Sequence, residues 1–195
     1  MADQAAAAVR SGGVIVYPTE TVYGLGCDPA DAEAVARIRR VKGRDAARPM
    51  LALTDAWSRV EGWLVGLTDV HRRLMEHDPP LPVTVVFDAA PDAPPGLVST
   101  AGGIGIRRTT DPFCLALVAA AGPVLSTSAN RAGEPPARRF ADLDPAVTAA
   151  ADLAVDAGQA LGGTPSTVVR VEGGRLAVLR EGAVDAATLR AIIDP

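Results

Sequence analysis

The chain of 195 residues carries 19 Lys plus Arg against 23 Asp plus Glu, a formal charge of −4, and is 48% hydrophobic but only 4% aromatic. That length suits one domain whose core is built from Val, Leu, Ile and Ala, while acidity and scarce aromatics argue against a protein made mainly to hold nucleic acid. The apolar run Phe113 to Leu125 is broken by Gly122-Pro123 and falls short of the ~18 residues of a membrane span, and Met1-Ala2-Asp3-Gln4 lacks the cation of a secretory signal, so a soluble cytoplasmic protein with no membrane partner is expected.

Gly13-Val14-Ile15-Val16-Tyr17 reads as a buried strand, stopped by Pro18 at a turn carrying Thr19, Glu20 and Thr21. Polar groups just past a strand end are where open α/β sheets place ligand contacts. Tyr23-Gly24-Leu25-Gly26 follows, either for close backbone approach to a ligand or as a tight strand-to-helix loop. Asp28-Pro29 supplies a cap and a first-turn proline for a helix whose apolar stripe is Ala34, Val35, Ile38 and Val41. That helix runs into Arg37-Ile38-Arg39-Arg40-Val41-Lys42-Gly43-Arg44-Asp45-Ala46-Ala47-Arg48, six cations against one acid in a chain of net negative charge. Lys42 is the only lysine in the sequence, which suits a site needing a compact ammonium rather than a planar fork. A helix end whose cations complement the dipole, with Gly43 beyond it, is the structural alternative.

Met50-Leu51-Ala52-Leu53 is expected as a strand, and Asp55–Leu64 and Thr68–His77 as helices. Pro79-Pro80-Leu81-Pro82 leads into the strand Val83–Phe87, and the Pro/Gly-rich Ala89–Gly103 connection, long for a turn, is expected to be mobile or to face ligand. Ile104–Arg108 is a short strand ending in two arginines, and Asp111-Pro112 opens a helix to about Ala121. The strand Pro123-Val124-Leu125 then delivers Ser126-Thr127-Ser128-Ala129-Asn130, hydroxyls and an amide past a strand end that, taken alone, read first as a self-satisfied Asn turn. Phe140–Ala151 is expected helical and Leu153–Val155 extended. A glycine-rich loop delivers Ser166-Thr167, a hairpin turns at Glu172-Gly173-Gly174-Arg175 and ends at Arg180, and a helix spans Asp185–Ile193.

Cys27 and Cys114 form no C-x-x-C pattern, and His71 and His77 are too far apart in register to share a helix face, so no protein-held metal is expected and both histidines read as surface residues. No G-x-x-x-x-G-K-[ST] loop or G-x-S-x-G elbow occurs, and Asp28-Pro29 breaks the last glycine of G-x-G-x-x-G. The polar positions that remain are cations and neutral donors, a lining for phosphate and carboxylate oxygens. Charge stabilisation rather than covalent catalysis is the expected mode.

Tyr17-Pro18-Thr19-Glu20-Thr21-Val22-Tyr23-Gly24-Leu25-Gly26, Lys42-Gly43-Arg44 with Arg48-Pro49, Ser126-Thr127-Ser128-Ala129-Asn130, Ser166-Thr167 and Leu179-Arg180-Glu181-Gly182, in that order, resemble the motifs of the YrdC/TsaC-like L-threonylcarbamoyladenylate synthases. The resemblance implies a single YrdC-like α/β domain over residues 1–195, a twisted mixed sheet with flanking helices and a large positively lined cavity. It implies a nucleotidyltransferase joining ATP, L-threonine and bicarbonate into threonylcarbamoyl-AMP and pyrophosphate, for t6A modification of tRNA. It places Lys42 and Arg44 as catalytic contacts, joined on ATP by Arg48, Ser126, Ser128, Asn130 and Arg180, with Thr21, Arg107, Ser166 and Thr167 near threonine. Mg2+ arrives with ATP. As in short family members, partner proteins would complete the transfer to tRNA.

Leu81 departs from that pattern, standing where the family's Pro-rich loop has glycine. Two other readings stay open: a double-stranded RNA or tRNA-binding module with Arg37, Arg39, Arg40, Arg138 and Arg139 on phosphates, and a paralogue acting on another carbamoyl or adenylate substrate.

Overall fold

The computed structural model describes residues 1–43 and 50–193. In chain order these form α1 (Ala2–Arg10), β1 (Ile15–Tyr17), β2 (Gly24–Cys27), α2 (Ala32–Lys42), β3 (Leu51–Thr54), β4 (Leu64–Val65), α3 (Asp69–Glu76), β5 (Val83–Ala89), β6 (Gly103–Arg108), α4 (Pro112–Ala121), β7 (Val124–Ser128), α5 (Pro145–Ala149), β8 (Leu153–Ala154), β9 (Thr167–Glu172), β10 (Arg175–Arg180) and α6 (Ala186–Ile193). The strands make one mixed sheet in the order β10-β9-β5-β6-β3-β7-β2-β1-β8, with β4 added to β5. The pairs β1/β8, β3/β6 and β5/β9 are parallel and the others antiparallel. This is the α/β class read from the sequence. No helix among the described residues is long and apolar enough to cross a membrane.

The period-two alternation of side chains along the strands decides where the cavity lies. Val14, Val16, Ala52, Val85, Ile104, Ile106 and Leu125 point to one face, where α2, α5 and α6 close the larger core. Ile15, Tyr17, Leu53 and Val124 point to the other, against Ala5, Ala6 and Val9 of α1 and Cys114, Leu117 and Val118 of α4. Two residues along the same strands this second face changes character: Val124 is followed by Ser126 and Ser128, and Leu53 is preceded by the partly buried Leu51, which pairs with Gly105. The uncovered part of the sheet is the floor of a polar cavity.

Several elements depart from the sequence reading. Gly24–Cys27 is a central strand rather than a loop, because its glycines make room for the Tyr17 ring: a Cβ on Gly26 would stand 2.9 Å from Tyr17 Cε1 and 2.7 Å from the Leu125 carbonyl. Gly26→Ala is therefore expected to cost about 1–3 kcal/mol in urea unfolding. The cap of α2 is Asp31, which accepts from the amides of Glu33 and Ala34, while Asp28 caps the preceding turn through Ala30 N. Asp55–Leu64 forms two 3-10 turns and then β4, and Phe140–Ala151 divides into a 3-10 turn and α5, which starts at Pro145 after its cap Asp144. Ser126 and Ser128 lie within β7 and not past its end. The 89–103 connection is pinned down: Leu97 is buried, Arg39 donates to the Gly96 carbonyl, and none of its residues lines the cavity.

His71 is not a surface residue. It is 5% exposed, stacks on Phe87 at 5.0 Å, and its Nδ1 accepts from the Thr68 amide, closing the start of α3. Burial lowers its pKa, and protonation would remove the acceptor that the Thr68 amide needs. A depressed folded-state value means the stabilisation is complete above the unfolded value of about 6.5 and is lost as pH falls through the folded one. Thermal unfolding should accordingly occur at lower temperature near pH 5 than near pH 7.5, and His71→Gln, which can keep the cap, should shrink that difference.

Candidate active site

The cavity holds about 430 Å3, within the range of small-molecule sites. Three cations, Lys42, Arg107 and Arg180, stand in its described wall against one carboxylate, Glu134. Thr19, Thr21, Thr84, Ser126, Ser128 and Ser166 supply hydroxyls.

On one side the chain turns at the end of α2. Gly43 takes the left-handed conformation, φ 58°, that stops the helix and leaves Lys42 in the wall, 1% exposed. Its Nζ donates to the Ser128 carbonyl at 2.5 Å, to Asn130 Oδ1 at 3.2 Å and to Ser128 Oγ at 3.3 Å. The Ala132 amide donates to the Lys42 carbonyl, so the loop after β7 is tied to α2 by backbone as well. Asn130 is oriented by its own amide, which donates to the carbonyls of Arg131 and Glu134. Lys42, Ser128 and Asn130, 86 and 88 residues apart in the chain, thus form one hydrogen-bonded group.

On the other side Arg107 projects from the end of β6, 5% exposed. Glu20, in the turn after β1, brings Oε1 within 3.0 Å of Arg107 Nε, yet the approach is not aligned as a hydrogen bond and both atoms are buried without one. Thr109 donates to Glu20 Oε2 at 2.7 Å, and Arg107 Nη1 donates to Thr21 Oγ1 at 3.3 Å. Thr21 in turn meets Thr19 at 2.9 Å, and Thr19 donates to the Val22 carbonyl. Beyond them Ser166 and Thr84 share a hydrogen bond of 2.9 Å, and Arg180 Nη2 donates to the Ser166 carbonyl at 2.7 Å. Desolvation and the nearby Arg107 pull the Arg180 guanidinium below its ordinary pKa. A guanidinium held back in this way gains from an anion set beside it.

Of the residues singled out in the sequence, Thr21, Lys42, Arg107, Ser126, Ser128, Asn130, Ser166 and Arg180 line this one cavity. Thr167 does not: it is fully buried, donates to the Val184 carbonyl at 2.5 Å and accepts from the Val184 amide, a fold-stabilising pair. Arg44 and Arg48 lie outside the described residues. The sequence reading missed Glu20 as the carboxylate beside Arg107, Thr109 as its anchor, and Thr84. An acid between two threonines at a strand end was the available signal for Glu20. Of the arginines considered for RNA, Arg37 is paired with Asp152 at 2.9 Å and Arg139 with Asp142 at 2.8 Å, which lowers their offer of free positive charge.

The Sua5/YciO/YrdC family model, described as telomere recombination, matches residues 7–182. The chain belongs to the Sua5/YciO/YrdC family. Among the family's curated members, a protein of Stenotrophomonas maltophilia (strain K279a) named threonylcarbamoyl-AMP synthase is 42% identical over 146 residues, 73% of this chain and 78% of that one. One of the same name from Chromohalobacter salexigens is 39% identical over 173 residues, 87% and 92% of the two chains. Among solved structures of the family, P. abyssi Sua5 complexed with L-threonine superposes with a TM-score of 0.90 at 25% identity, covering 99% of this chain and 57% of that longer one. E. coli YciO superposes with a TM-score of 0.80 at 31% identity, covering 94% and 90%.

Proposed function

We propose that this chain is a threonylcarbamoyl-AMP synthase that makes threonylcarbamoyl-AMP and pyrophosphate from MgATP, L-threonine and bicarbonate, feeding tRNA t6A modification in the cytoplasm. The observation that carries the proposal is the pairing, within one cavity, of the Lys42, Ser128 and Asn130 group with the buried cation Arg107. Such a site offers charge to two anions at once, a triphosphate and an amino-acid carboxylate. The relatives' names and the threonine complex of P. abyssi Sua5 support that assignment.

In this reading Lys42 lies on the phosphates, with the hydroxyls of Ser126 and Ser128 beside it, and Arg44 and Arg48 join them from the segment that follows. Arg107 holds the threonine carboxylate, while Thr21 and Ser166 face its amine and hydroxyl. Threonine's neutral amine adds to CO2 with loss of a proton, or to bicarbonate with loss of water, to give a carbamate. A carbamate oxygen then attacks the α-phosphorus as the bond to the β-phosphate oxygen breaks, and pyrophosphate leaves with Mg2+. Negative charge grows on the phosphoryl oxygens along that path, and a fixed ammonium with preset hydroxyl donors stabilises it without reorganisation. Partner proteins would carry the product to tRNA.

Pyrophosphate release tests the proposal. It should require ATP, threonine and bicarbonate together. Release with serine at equal rate, or without any amino acid, would favour the paralogue, and RNA retention with no release would favour the RNA-binding module.

A further inference from the structure

Tyr17 is fully buried and does not line the cavity, yet its hydroxyl donates at 2.7 Å to Ser126 Oγ, which does. Tyr17 is on β1 and Ser126 on β7, and β2 runs between those strands. The phenol reaches Ser126 only by lying across β2, over Gly24 and Gly26, where any side chain would meet it: a Cβ on Gly24 would stand 3.2 Å from Tyr17 Cζ. Phe113 at the start of α4 stacks on the ring at 6.3 Å. Two glycines and an aromatic neighbour thus accommodate a single hydrogen bond to a cavity side chain.

A serine hydroxyl has one proton to give and two lone pairs to accept with. With Tyr17 donating into one lone pair, the Ser126 proton must point elsewhere, and no hydrogen bond among the described residues uses it. We infer that Tyr17 is a positioning residue that fixes Ser126 as a hydrogen-bond donor into the cavity, selecting a phosphate oxygen of the bound nucleotide. The inference rests on the reading of the cavity as an ATP site. Burial, with Cys114 next in effect, pushes the Tyr17 phenol well above its ordinary pKa, so the donor stays protonated.

ATP affinity by titration calorimetry, on wild type, Tyr17→Phe, Ser126→Ala and the double variant, tests this. Ser126→Ala should weaken ATP about tenfold, the scale of a hydrogen bond to a charged group, and Tyr17→Phe should weaken it in the same direction while leaving the threonine KM unchanged. The double variant should bind no worse than Ser126→Ala alone, because Tyr17 acts only through that hydroxyl. Wild-type affinity in Tyr17→Phe, or losses that multiply in the double variant, would overturn the inference, as would a wild type that does not bind ATP. Should Tyr17→Phe fail to fold, Ser126→Ala decides: undiminished ATP affinity overturns it. A wild type that binds ATP but releases no pyrophosphate with threonine and bicarbonate would instead contradict the synthase assignment, leaving the hydroxyl coupling to be read from affinity.

Discussion

Replacing Lys42 with alanine is expected to lower the rate of pyrophosphate release by about 100-fold or more, the usual consequence of removing a fixed charge that meets a developing phosphoryl charge. Lys42→Arg should not restore the rate. Lys42 is 1% exposed and its ammonium sits among the Ser128 carbonyl, Ser128 Oγ and Asn130 Oδ1, an arrangement for a compact donor and not for a planar fork. The same change leaves acceptors on Ser128 and Asn130 without their donor, so a stability loss of about 1–3 kcal/mol should accompany the rate loss in urea unfolding. Arg44→Ala, from the same motif, should also reduce turnover about 100-fold.

Arg107→Ala should have the second large effect, on threonine rather than ATP. Losing a charge-assisted contact to the carboxylate should raise the threonine KM about 10- to 100-fold while changing the ATP KM little. It should also unfold more easily than any of the hydroxyl variants. Glu20 would be left with its carboxylate mostly enclosed and its cation gone, and breaking a buried pair by removing one partner costs about 3–5 kcal/mol. Adding Glu20→Gln to Arg107→Ala should recover much of that stability and none of the threonine affinity. Enzyme kinetics with unfolding curves on the wild type, Arg107→Ala and the double variant separates the two contributions.

Local signals carried much of this architecture. Alternating or continuous apolar runs marked Ile15–Tyr17, Val83–Phe87 and Ile104–Arg108, and Asp111-Pro112 and the Gly173-Gly174 turn marked a helix start and a hairpin. What failed depended on tertiary partners. Gly24–Cys27 looked like a loop because glycine is poor in strands, and only its tertiary neighbours, the Tyr17 ring lying over it and the Leu125 carbonyl beside Gly26, explain two glycines there. His71 looked like a surface residue because nothing near it in sequence announces Phe87. In the cavity, Arg107 near a strand end and Asn130 in the turn after β7 were visible, since β-strand periodicity and turn residues fix them locally, whereas Ser126 and Ser128 lie within β7 itself. Glu20 beside Arg107 and Thr84 beside Ser166 were not, because each pairing spans more than 80 residues of chain. Thr167 shares its motif with Ser166, but strand alternation sends the two to opposite faces and gives Thr167 to Val184.

A crystal structure of the protein soaked with a non-hydrolysable ATP analogue and L-threonine would show whether one cavity holds both substrates. The triphosphate is expected against Lys42, Ser126 and Ser128 and the threonine carboxylate on Arg107, both ligands within the one cavity and close enough for a carbamate oxygen to face the α-phosphorus. Nucleotide bound elsewhere on the surface, or threonine absent from Arg107 while nucleotide is present, would contradict that arrangement.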